Sequence, residues 1–164
     1  MSSLSVRKVR MMTLGISTNT RLVGVAIIDN GELLDYFVRL HKSSWSPSKA
    51  TQIITSLEPC VRQYCIKQVI LSMPPAHCQT REFNELISRI KEFFAGKDIP
   101  VISESSQMLQ IFCNEHGRKT KKKIMRAIAE KFPELKMFYD REMRNKNKYY
   151  IKLFEAVGMA ALYS

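Results

Sequence analysis

Apolar residues along this chain fall first into short runs and then into helical spacing. Residues 11–16 form an apolar run that stops at the polar turn Ser17-Thr18-Asn19-Thr20. A second run, 22–28, is rich in Val and Ile and is followed by Asp29-Asn30-Gly31. Asn-Gly is a two-residue hairpin signal, because both central positions of the tight turn need positive φ. Residues 33–40 then read as the returning strand. The opening therefore predicts three short strands in an antiparallel meander.

The period changes after residue 45. Ser46-Pro47 supplies an N-cap and a first-turn proline, and Ala50, Ile53, Ile54, Leu57 and Val61 keep helical spacing. Pro59 lies inside that pattern and predicts a kink or a split. Residues 69–73 read as a buried strand closed by Pro74-Pro75. Thr80 caps a helix with Phe83, Leu86, Ile87, Ile90 and Phe94 on one face, ended by Gly96. A short strand at 99–102 and a helix at 107–114, capped by Ser105 or Ser106, follow. Gly117 breaks the chain, and Thr120 opens a helix with Ile124, Ala127, Ile128 and Phe132 inward, closed by Pro133. Residues 136–148 are polar and read as a loop. A closing helix at 149–162 turns Leu153, Ala156, Val157 and Ala160 inward. The order β-β-β-α-β-α-β-α-α-loop-α predicts an α/β fold, a mixed five-stranded sheet with helices on both faces. There is no internal repeat.

Composition narrows the class. The chain has 164 residues, 45% hydrophobic and 25% charged, which suits one globular domain and not a disordered chain. We expect residues 1–10 to be a flexible N-terminal extension and 11–164 a single domain. The longest apolar run, 22–28, is far short of the roughly 18–20 residues of a membrane helix, and the basic residues 2–10 lack the apolar stretch of a secretory signal. The expectation is a cytoplasmic protein with no membrane partner. Cys60, Cys65, Cys78 and Cys113 form no C-x-x-C pair, and His41, His77 and His116 add no zinc-like spacing. They read as reduced packing cysteines.

Charge is more telling. The net charge is +11, and residues 117–152 hold 13 Lys and Arg against 4 Asp and Glu. Within it, Arg118, Lys119, Lys121, Lys122, Lys123 and Arg126 gather at a predicted helix start. Free N–H groups and the helix dipole already make that end positive, so lysines there suit an anion and oppose the dipole when alone. These six are the candidate nucleic-acid-binding residues, with a solvated basic face as the plainer reading. Arg141, Arg144, Lys146 and Lys148 could extend the track. Tyr149 and Tyr150 either stack on bases or pack.

The segment Leu14-Gly15-Ile16-Ser17-Thr18-Asn19-Thr20-Arg21-Leu22-Val23-Gly24-Val25-Ala26 resembles the first hairpin of RuvC-like Holliday-junction resolvases, in the ribonuclease H-like superfamily. Val69-Ile70-Leu71-Ser72-Met73-Pro74 resembles their fourth strand, Arg118 to Ile124 the small-polar-plus-lysine segment before a helix, and Phe154-Glu155-Ala156-Val157-Gly158-Met159-Ala160-Ala161-Leu162 their last helix. The resemblance spans nearly the whole chain and implies a ribonuclease H-like fold. Such nucleases clamp an in-line phosphoryl displacement between two divalent metals held by carboxylates. Carried over residue by residue, the first-strand Asp falls at Ser17, the fourth-strand Glu at Ser72, and the two last-helix positions at Lys152 and Glu155. Glu155 alone keeps a carboxylate, and is the one catalytic candidate.

Hydroxyls are weak magnesium ligands and an ammonium repels the cation. Lys152 either pairs with Glu155 one turn away or points to solvent. Asp29 and Glu32 flank the hairpin turn at the far end of the strand. A relocated acidic site would draw on Glu104, Glu155 and Asp140 or Glu142. The expectation is a nucleic-acid-binding protein, with DNA as the expected ligand, that lacks metal-dependent cleavage and needs no cofactor. The alternatives are a structure-specific endonuclease with a rearranged acidic site, requiring magnesium or manganese, and a non-catalytic interaction scaffold. A homodimer is implied by the resemblance alone.

Overall fold

The computed structural model describes residues 11–113, 116–146 and 148–164. The expected N-terminal extension, residues 1–10, lies outside the described residues. Three strands open the fold: β1 (Met12–Thr18), β2 (Leu22–Asp29) and β3 (Glu32–Leu40). Asn30 and Gly31 take φ of 48° and 81°, the turn their identities demand. Helix α1 (Pro47–Gln63) is capped by the Ser46 hydroxyl, which accepts from the Lys49 N–H at 3.1 Å. Strand β4 (Ile66–Met73), helix α2 (Arg81–Ala95) with its Thr80 cap, and strand β5 (Val101–Ser105) follow. A 3-10 turn (Ser106–Phe112) leads to α3 (Lys121–Lys131), α4 (Lys136–Arg144) and α5 (Ile151–Leu162).

The sheet order is β3-β2-β1-β4-β5. β1-β2 and β2-β3 are antiparallel, and β1-β4 and β4-β5 are parallel. One face, with Leu14, Ile16, Val25 and Leu71, packs on Ile53, Leu57, Leu86 and Phe94 of α1 and α2. The other, with Ala26 and Ile28, packs on Met125, Ile128, Phe154 and Val157 of α3 and α5. The expected mixed five-stranded sheet, covered by helices on both faces, is the architecture observed.

Five local expectations are corrected. Pro59 does not split α1, which runs unbroken through it; Thr55, whose carbonyl loses its N–H partner, is exposed and water can satisfy it. The helix expected at 107–114 is a 3-10 turn within Ser106–Phe112, and Asn114 lies outside the described residues. The expected loop at 136–148 holds α4, because Phe138, Tyr139 and Met143 pack against the second core. The closing helix starts at Ile151, two residues late. β5 likewise lies two to three residues beyond the stretch expected for it.

Two glycines set how closely α5 approaches the sheet. A Cβ on Gly15 would lie 2.1 Å from the Ala156 carbonyl oxygen, and one on Gly24 would lie 2.1 Å from that of Lys152. Only glycine permits that contact. The first turn of α5 is therefore seated on the β1-β2 backbone, beside the ends of β1 and β4. No helix among the described residues is long and apolar enough to cross a membrane.

Candidate functional site

Parallel pairing puts Ser17 of β1 opposite Ser72 of β4, and Ser72 opposite Glu104 of β5. Alternation along β1 sends Leu14 and Ile16 to the α1-α2 core and Ser17 to the opposite face, where α5 lies. There the Ser17 hydroxyl donates to Glu155 Oε1 at 3.3 Å. Lys152, one turn earlier on α5, donates to the same oxygen at 3.1 Å. Ser17 and Ser72 are buried, at 1% and 4% exposure. The Lys152 and Glu155 side chains keep only 16% and 11% of theirs, so the ion pair sits in a partly desolvated place and not at the surface.

These four residues are adjacent as the sequence expectation had them, yet their chemistry is that of a closed ion pair. One carboxylate oxygen already receives an ammonium and a hydroxyl. Two hard divalent cations need several carboxylate oxygens, and this set does not fit them. The other acids do not repair it. Glu104 accepts a short hydrogen bond from the Tyr163 hydroxyl, and that bond, followed by burial, raises the pKa of Tyr163. Glu142 is 0% exposed; its Oε1 accepts from the Tyr149 N–H at 2.8 Å and its Oε2 from the Tyr150 N–H at 2.7 Å. It caps α5, which has no cap of its own. Among the described residues no group of three or more His, Cys, Asp or Glu is placed to hold a metal.

Over the ion pair opens a crevice of about 420 Å³, lined among others by Asn19, Gln107, Lys119, Lys121, Lys152 and Glu155. Of the six basic candidates, Lys119 and Lys121 reach it. Arg118 and Lys122 are exposed without lining it, Lys123 is half-buried, and Arg126 pairs with Glu130 at 3.5 Å along α3. The Thr120 hydroxyl accepts from the Lys123 N–H at 3.3 Å, and the first turn of α3 holds three lysines and no acid. Tyr149 and Tyr150 meet edge to face at 4.9 Å, and Tyr150 joins the second core, so that ring packs.

Sequence reasoning missed Asn19 and Gln107 in the crevice. Their signal was position, since loops at the carboxyl ends of parallel strands border ligand crevices in α/β sheets. Glu142 carried no signal; its carboxylate reads as surface charge until α4 is known to be a helix.

A mixed sheet in this order, with the final helix packed on the backbones of β1 and β2 at Gly15 and Gly24, has the RuvC-like fold seen in three solved structures. Thermus thermophilus RuvC in complex with Holliday junction substrate superposes with a TM-score of 0.69 at 10% identity, over 92% of this chain and 90% of that one. A second Thermus thermophilus RuvC structure gives 0.66 at 11%, over 92% and 91%. Fowlpox virus resolvase, in complex with Holliday junction DNA, gives 0.56 at 15%, over 93% and 96%. No protein-family model and no curated protein matches the chain.

Proposed function

We propose that this chain is a nucleic-acid-binding protein of RuvC-like fold that grips a phosphate backbone without metal-dependent cleavage. The observation that carries the reading is the shared Glu155 oxygen: Lys152 at 3.1 Å and Ser17 at 3.3 Å occupy the carboxylate that a nuclease would give to its metals. The ammonium brings the positive charge from within the chain. Lys119 and Lys121 border the same crevice, at the start of a helix whose free N–H groups favour anions. The two structural relatives bound to Holliday junctions support DNA as the ligand. A homodimer and a cytoplasmic location belong to the same proposal.

The test is a binding panel of four-way junction, duplex and single-stranded DNA, with and without manganese. The expected result is binding that weakens steeply with salt and leaves every strand intact. Manganese-dependent nicking that disappears in Glu155→Ala would establish the endonuclease alternative instead. Absence of salt-sensitive affinity for all three ligands would leave the interaction scaffold.

A further inference from the structure

A second crevice, about 550 Å³, opens on the other side of the β1-β2 turn. Arg21, Lys146, Lys148 and Tyr149 line it, together with Asn19. Among the described residues no carboxylate borders it. Asn19 borders the first crevice too, so the turn stands as a ridge between two basic hollows. The ridge is firmly built. The Asn19 side-chain oxygen accepts from the N–H groups of Arg21 at 2.8 Å and Leu22 at 2.7 Å, and the Thr18 hydroxyl donates to the Leu22 carbonyl at 3.0 Å.

The far wall is equally fixed. Lys148 Nζ donates to the Glu142 carbonyl at 3.2 Å, and Tyr149 is held at its N–H by the Glu142 carboxylate. Among the described residues no ion pair is recorded for Arg21 or Lys146. The buried Lys49 nearby has its pKa lowered by burial and then by the charge of Arg21.

We propose that this second crevice is a further phosphodiester-binding site, so that one nucleic acid lays a backbone segment on each side of the β1-β2 turn. The inference rests on the proposed function and adds a second contact surface to it. A polyanion suits the hollow because its charged lining is cationic throughout. Nucleic acid is favoured over an acidic peptide because the hollow lies beside the first crevice, with Asn19 lining both, and a long polyanion can span the two.

The experiment is fluorescence anisotropy of the full chain on a 30-base-pair duplex and on a four-way junction, from 50 to 250 mM salt. The variants are Arg21→Gln/Lys146→Gln/Lys148→Gln and Lys119→Gln/Lys121→Gln. Each neutralised phosphate contributes about 0.9 to the slope of log affinity against log salt. The triple variant is expected to lose about 2–3 from that slope and the double variant about 2. An unchanged slope in the triple variant, with a reduced slope in the double, overturns the second site and leaves the proposed function standing. Unchanged slopes in both overturn the second site together with the placing of the backbone over Lys119 and Lys121, and absence of any salt-dependent affinity in the wild type defeats the proposed function itself. Should the triple variant fail to fold, Lys146→Gln alone, at an exposed position, carries the test with an expected loss of about 1.

Discussion

Ser17 on the first strand and Glu155 on the last helix, 138 positions apart, are joined by one hydrogen bond of 3.3 Å from hydroxyl to carboxylate. Lys152 shares that oxygen. Removing the acid strands a largely buried ammonium, and an unpaired buried charge costs more than the pair contributes. Glu155→Ala is expected to lower unfolding free energy by about 2 kcal/mol, measured by urea denaturation. Lys152→Met on top of it should restore part of the loss. Strict additivity of the two changes would show that the pair does not couple.

Glu142 anchors the same helix from outside. Its two oxygens satisfy the first N–H groups ahead of α5. Glu142→Ala should cost about 2 kcal/mol, and Glu142→Gln less, because the amide keeps one acceptor. Equal melting temperatures for wild type and Glu142→Ala would refute the cap.

Gly24 meets the α5 backbone directly. Gly24→Ala puts a methyl group into the Lys152 carbonyl and must lift the helix. The expected cost is about 3 kcal/mol, read by thermal unfolding. Gly31→Ala, at a left-handed turn with open space around it, should cost only about 1 kcal/mol of backbone strain. A reversed ranking would contradict the close seating of α5.

His41 gives a pH dependence. Its Nε2 is buried without a partner among the described residues, and its pKa lies below the usual 6.5 because of burial, then Lys49, then Arg39. The folded state prefers the neutral ring, so this contribution is present above about pH 6.5 and is lost as pH falls through the lower folded value. His41→Gln should flatten the stability profile below pH 6.5 relative to wild type. Parallel profiles from pH 7 to pH 5 would sink this expectation.

Ser17→Asp/Ser72→Glu/Lys152→Asp places acids at three neighbouring positions around Glu155. Like-charge repulsion should destabilise the variant in chelator, and manganese should raise its melting temperature by mass action. Wild type should show no manganese shift. A shift of equal size in wild type would mean that Glu155 already takes a cation.

Much of the architecture was legible because local chemistry and long-range packing agree. Asn30-Gly31 can only turn tightly, Ser46, Thr80 and Thr120 each cap the helix that follows, and the 3.6 period of Phe83 to Phe94 marks a core face. The errors arose where tertiary contact overrides local preference. Residues 136–144 look polar, yet they close as a helix because Phe138 and Tyr139 find a core to cover. Pro59 is tolerated because α1 is held along its length by Ile53, Leu57 and Cys60.

The chain alone determined the order of the five strands, the absence of acids at Ser17, Ser72 and Lys152, and the basic excess over residues 117–152, since these are matters of residue type and spacing. Tertiary structure alone decided that Lys152 turns to Glu155, that Glu142 is spent on a helix cap, and that Lys119 and Lys121 face the crevice while Arg126 does not. Charge is carried by composition, but whether a charge is paired or left open to a ligand depends on which distant groups the fold brings within a few ångströms.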